Sequence, residues 1–151
     1  MKIFGIGSSQ NTKNFLQPQP PIIGTATDVG TNRAYNDGSA TVTFTPSASG
    51  AAATSYVVKA YNTSGVYQNI SASGSSSPIT LTGLASNTSY KFTVYGVNAA
   101  GNGSESSFTT PDTLITTVPQ APTIGTATAT GTTTATVAFT GNGTGGKAIS
   151  T

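Results

Sequence analysis

An all-β sandwich fold, repeated in tandem, is what this sequence predicts, and three observations predict it. Short runs of Val, Ile, Phe and Tyr alternate with Thr and Ser at a period of two and are separated by turn residues, the pattern of strands buried on one face. Glycine (18) and proline (8) punctuate those runs, while charged residues make up only 7%, too few for long amphipathic helices with a solvated side. The chain also repeats itself. QPPIIGTAT at 19–27 returns as QAPTIGTAT at 120–128, an offset of 101, and ATVTFT at 40–45 returns as ATVAFT at 135–140, an offset of 95. A repeat of that length is the size of one sandwich domain and far longer than a solenoid repeat. The first copy thus carries six extra residues between its first two strands, around Asn32 to Asp37.

Residues 1–19 hold Ile3, Phe4, Ile6, Phe15 and Leu16 among Gly, Ser, Gln and Pro, with no domain of their own to enter, and predict an extended arm that docks on a partner. Burying each such side chain contributes roughly 1.5 to 3 kcal/mol, which favours an arm laid on a preformed surface. A complete sandwich is expected over 20–111. Its first strand is 22–27 and its second 40–45, where Val42 and Phe44 point inward and Pro46 ends the run. The third strand, 55–62, turns Tyr56, Val58 and Ala60 inward, because Lys59 belongs outside. A short edge strand follows at 66–70, then a loop through SASGSSS. Strand 78–82 supplies Ile79 and Leu81, and strand 90–97 alternates Tyr90, Phe92, Val94 and Gly96 against Lys91, Thr93, Tyr95 and Val97. Residues 104–109 close the sandwich and Pro111 stops it. A linker is expected at 112–119, and 120–151 opens a second sandwich whose third strand falls at Thr151. Half a sandwich leaves Val137 and Phe139 uncovered, so the expectation is a longer protein carrying further sandwiches.

The stretch LTGLASNTSYKFTVYGVNAAGNGS, at 81–104, resembles the fibronectin type III pattern: a leucine, a tyrosine six residues on, an alternating strand, then Asn-Ala-x-Gly-x-Gly. The resemblance covers 20–111 and implies an immunoglobulin-like sandwich. It also implies that Leu84 and Tyr90 form a tyrosine corner, in which the phenol hydroxyl bonds an upstream backbone group and fixes the crossover. The second strand departs from the family, which usually has tryptophan there; this chain has Phe44, whose phenyl ring can fill the same core position. No Arg-Gly-Asp triplet occurs, so the integrin role of some family members is not implied.

Chemistry-bearing patterns are scarce. The chain has no His and four carboxylates, Asp28, Asp37, Glu105 and Asp112, which leaves little to build a general acid or base from, and the expectation is no catalytic site, no cofactor and no enzyme activity. Asp28 and Asp37 flank the inserted loop but lack the Asp-x-Asp spacing of a calcium loop and read as turn formers. With neither Cys nor His there is no zinc site. The glycines of GNGTGG at 141–146 lack the Gly-Lys-Ser/Thr ending of a phosphate loop and read as an inter-strand loop. Six basic residues scattered singly give no track for nucleic-acid phosphates. The apolar stretch at 3–7 is too short for a signal-peptide core or a membrane span, and without export the five Asn-x-Ser/Thr triplets carry no meaning. Tyr35, Tyr61, Tyr67 and Tyr95 fall in loops or on outward faces. Strand propensity explains them, and a sugar-stacking platform built from Tyr61, Tyr67 and Tyr95 requires three coplanar exposed rings.

Tandem modules, an anchoring arm and no export signal together describe a virion protein, assembled in the host cytoplasm. Low-charge Thr/Gly/Ala-rich repeats of the GTATATGTTTATVAF kind, here at 125–139, resemble those in structural proteins of tailed bacteriophages, notably tail fibres, tail-tip proteins and capsid decorations. That resemblance implies other virion structural proteins as partners of the arm, a homo-oligomer in the particle, a host-surface glycan as ligand of downstream modules, and neither nucleic acid nor membrane. The alternative is a bacterial surface adhesin or the accessory carbohydrate-binding module of a secreted enzyme, against which the missing signal peptide counts.

Overall fold

Strand formation follows the alternating runs. In the computed structural model, which describes residues 16–150, the described residues form ten strands. They are β1 (Ile22–Asp28), β2 (Gly38–Thr45), β3 (Ser55–Asn62), β4 (Tyr67–Gly74), β5 (Ile79–Leu84), β6 (Thr88–Asn98), β7 (Gly101–Asn102), β8 (Thr113–Ile115), β9 (Thr123–Ala129) and β10 (Ala135–Thr140). One sheet runs β1-β2-β5; the other runs β4-β3-β6-β7, with β8 also paired to β6. The two sheets face each other as a sandwich. Val42, Phe44, Ile79, Leu81 and Leu84 of the first meet Tyr56, Val58, Tyr90, Phe92 and Val94 of the second in a single buried core. The Phe44 ring packs on Tyr56 with centroids 4.8 Å apart, so phenylalanine fills the place where the family usually has tryptophan.

Two strand regions after β3 differ from what the sequence predicts. β4 continues to Gly74 through residues expected as loop, because its backbone pairs with β3 as far as Tyr56 and the register leans Ile70 and Ala72 on the core. Small Ser and Ala side chains carry little strand propensity, and the ladder overrides it. The closing segment also differs. Residues 104–109 run along β6 without a regular ladder: Ser106 N and Thr109 N donate to Val94 O at 2.8 Å and Phe92 O at 2.9 Å, while in return Val94 N donates to Ser106 Oγ at 3.0 Å and Phe92 N to Thr109 Oγ1 at 3.0 Å, hydroxyls taking the place of backbone acceptors. Pairing resumes past Pro111 in β8, opposite Thr88 to Tyr90, and places Ile115 in the core. Residues 112–119 are therefore not simply a linker. A Cβ at Gly38 would lie 2.2 Å from the Ile115 methyl, so β2 needs glycine there to admit Ile115.

Of the predicted arm residues, Ile3, Phe4, Ile6 and Phe15 lie outside the described residues. Leu16 is described, and there the chain already touches its own sandwich. The exposed Leu16 offers its carbonyl to Asn98 Nδ2 at 2.7 Å. Pro18 is buried, bridges Gly50, and approaches Gly96 and Gly103 so closely that a Cβ at 103 would sit 2.2 Å from its carbonyl oxygen. Residues 16–19 thus pack with the sandwich, which begins before the boundary expected at 20.

β9 and β10 form a separate two-stranded hairpin. Its register repeats that of β1 and β2: Ile124 faces Phe139 as Ile23 faces Phe44, and Ala127 faces Val137 as Ala26 faces Val42, with the same bulge between the two pairs. Every residue of both strands is exposed, because no second sheet covers them among the described residues.

Candidate functional site

The outward face of the larger sheet brings Lys59, Lys91 and Glu105 together with the rings of Tyr61, Tyr67, Tyr95 and Phe108. On β3, alternation that buries Val58 and Ala60 must turn Lys59 and Tyr61 outward, and on β6 the same rule presents Lys91, Thr93 and Tyr95. Lys59 pairs across with Thr93 in the β3–β6 ladder, and Tyr61 pairs with Tyr67 of β4. The irregular segment after β7 then brings Glu105 and Phe108 across the same face.

Glu105 is the hub. Its Oε1 accepts Lys59 Nζ at 2.6 Å, while Oε2 accepts Tyr61 Oη at 2.7 Å and Thr93 Oγ1 at 2.7 Å. Desolvation alone would raise its pKa, yet the hydrogen bonds from Lys59, Thr93 and Tyr61 outweigh it and hold the carboxyl below the usual value of 4.5. Lys59 moves the other way: its hydrogen bond to Glu105 outweighs burial and raises it above 10.5. Burial, helped by the bond to Glu105, raises the Tyr61 phenol. Rings frame the pair. Lys59 Nζ lies 5.3 Å from the Tyr67 centroid and 5.2 Å from that of Tyr95, and Lys91 Nζ lies 5.8 Å from Phe108.

This arrangement is saturated, and that decides its chemistry. A carboxylate with both oxygens engaged and a depressed pKa is a poor general base for the hydroxyls it holds. Nor is it a flat sugar platform. Tyr61 is tilted 51° to Tyr67 and stands edge to face with Phe108 at 75°, so these rings are not coplanar. Among the described residues no group of three His, Cys, Asp or Glu side chains could hold a metal, and no helix is long and apolar enough to cross a membrane. Asp28 is committed to structure: its Oδ1 accepts Gly30 N at 2.9 Å and its Oδ2 accepts Thr116 N at 3.0 Å. Asp37 bridges Arg33 at 2.6 Å.

Leu84 and Tyr90 sit at the turn between β5 and β6, both buried, with Tyr90 Oη accepting the Ala85 N–H at 3.0 Å. The model of the fibronectin type III domain matches residues 27–112, more than half of the 151-residue chain. The chain belongs to the fibronectin type III family. A human fibronectin type III domain from the KIAA0970 protein superposes with a TM-score of 0.52 at 19% identity, over 75% of this chain and 87% of that one. The structure of titin kinase and its flanking domains matches with a TM-score of 0.50 at 24% identity, covering 63% of this chain, which spans 17% of that one. The twitchin kinase region from C. elegans matches with a TM-score of 0.50 at 19% identity, covering 66% of this chain and 17% of that one. These likenesses establish the fold alone. No curated protein matches the chain. Fibronectin type III domains are generally non-catalytic binding or structural modules.

The sequence singled out Tyr61, Tyr67 and Tyr95, and the structure brings all three around Lys59. It missed Glu105 and Phe108. Their place depends on the path of the irregular segment after β7, which no alternation records.

Proposed function

We propose that this chain is a non-catalytic structural segment of a tailed-bacteriophage virion, a tail fibre, tail-tip protein or capsid decoration, in which tandem fibronectin type III modules project from an N-terminal anchor. The observation that carries the modular part is the duplicated register: β9 and β10 pair residue for residue as β1 and β2 do, bulge included. The virion assignment is supported by the low-charge, Thr/Gly/Ala-rich repeat at 125–139. The anchor is assigned to Ile3, Phe4, Ile6 and Phe15, large apolar side chains interleaved with Gly5 and Gly7 that suit an extended segment laid against a neighbour's sheet. Its partners are other virion structural proteins, in a homo-oligomer within the particle, with a host-surface glycan left to downstream modules.

Mass spectrometry of purified particles, from the phage whose genome carries this gene, tests the reading with a companion protein lacking residues 2–15. The full chain is expected in the particles at fixed copy number. The shortened chain is expected to keep its β-sheet circular dichroism, because the sandwich's described contacts begin at Leu16, and to be missing from the particles. Particles free of the full chain defeat the virion assignment; normal incorporation of the shortened chain defeats the anchor.

A further inference from the structure

The six extra residues between β1 and β2 do not trail into solvent. Arg33 closes the loop on Asp37, its Nε donating to Asp37 O at 2.6 Å and its Nη2 to Asp37 Oδ2 at 2.6 Å. Asn36, at a φ of 61°, exchanges two hydrogen bonds with Ser86: its N–H donates to Ser86 Oγ at 2.7 Å and its Oδ1 accepts Ser86 N at 3.1 Å. Asparagine tolerates that left-handed conformation better than most residues. The loop is thereby fixed to the turn between β5 and β6.

Two other segments lie against it. Val118 N donates to Arg33 O at 3.0 Å, and Thr117 Oγ1 is 2.6 Å from Ser86 Oγ. The GNGTGG loop after β10 folds back on the same surface. A Cβ at Gly143 would lie 2.3 Å from Tyr35 Oη and 2.5 Å from two of its ring carbons, and one at Gly146 would lie 3.2 Å from Asn87 Cα. Gly145, at a φ of 71°, occupies the position that Gly50, at a φ of 80°, has in the first copy. Each faces the segment ahead of its own first strand, Thr117–Val118 for one and Pro18–Gln19 for the other. The loop and its lead-in segment therefore travel together as one edge of the second copy.

From these contacts we infer that the inserted loop is a docking surface for the glycine-rich loop of the following module, with Tyr35 as its contact residue and a missing side chain at position 143 as the condition of entry. This rests on the reading of 120–150 as the opening of a second module. The sequence makes the junction directional. By the offset of 95, the first copy has Ala48 at the position equivalent to Gly143, so its own loop cannot enter beneath such a ring. The connection at 130–134 lacks the six extra residues and with them any counterpart of Tyr35. The first copy can accept the second, and the reverse order has neither the ring nor the gap.

Amide hydrogen exchange by NMR on the full chain, compared with Gly143→Val and Tyr35→Ala, tests the docking. The Val118 amide is expected to be protected in the unaltered chain and to exchange roughly tenfold faster in both variants, the factor one lost hydrogen bond brings. The Thr109 amide, bonded to Phe92 O inside the first sandwich, is expected to stay unchanged. Gly143 lies outside that sandwich, so its substitution cannot act by unfolding it. The Thr130 amide, which donates to Thr134 O, reports on the hairpin separately, and its free exchange overturns the modular reading whatever Val118 does. A Val118 amide that exchanges freely in the unaltered chain, or equally slowly in all three proteins, overturns the docking.

Discussion

At Tyr90 a phenol hydroxyl inside the core accepts the Ala85 N–H at 3.0 Å, and the ring packs beside Phe92 with centroids 6.3 Å apart. Tyr90→Phe keeps the ring and leaves one backbone donor unpaired, so we expect a loss of about 0.5 to 1.5 kcal/mol, read as a lower urea midpoint at unchanged slope. Glu105 makes a prediction in pH. Its folded-state pKa lies below 4.5, so the stabilisation is complete above that value and is lost as pH falls through the lower folded-state one. Lys59 is the mirror case: its contribution is complete below 10.5 and is lost as pH rises through its raised folded-state value. Glu105→Gln removes the acid-side change, so thermal melts of the two proteins should differ most near neutrality and converge on acidification. Parallel curves across the acid range would show that the carboxylate adds nothing. The two residues also differ in how they could be read. Leu84 and Tyr90 stand six apart within one continuous motif, whereas Glu105 meets Lys59 only because three separate segments share a face.

Strands written in alternating Val, Ile, Phe and Tyr were legible, and β3 has the bounds its pattern predicts. β4 and β8 were not, for different physical reasons. The second half of β4 is Ser and Ala, whose propensity says loop, and only the β3 edge makes it a strand. β8 lies past Pro111, which looked like a stop; a proline without an N–H is tolerated there because the segment around it makes no regular ladder. The consequence is measurable. Ile115 is fully buried against Gly38, while its neighbour Leu114 is 45% exposed. Ile115→Ala should cost about 2 to 5 kcal/mol, and Leu114→Ala less than about 0.5 kcal/mol. Equal effects in chemical denaturation would mean that β8 does not belong to the sandwich.

Across the whole molecule, the same strand pair occurs twice in two environments. Val42 and Phe44 are buried because Tyr56, Val58 and Phe92 pack across from them. Their counterparts Val137 and Phe139 are 51% and 72% exposed, and Ile124 is 76% exposed, although sequence and register are nearly the same. Local pattern thus forms the hairpin, and only a second sheet can bury it. A two-stranded hairpin is marginal by itself, and an apolar face beside unpaired edges favours pairing with another copy. We therefore expect the full chain to self-associate as its concentration rises, and Phe139→Ser to shift that association to higher concentration without changing the unfolding of the first sandwich. Sedimentation velocity over a concentration series measures both. A full chain that stays monomeric throughout, or a Phe139→Ser protein that associates just as strongly, would mean that this face is not what brings copies together, and the outer face around Lys59 and Glu105 would be the next surface to alter.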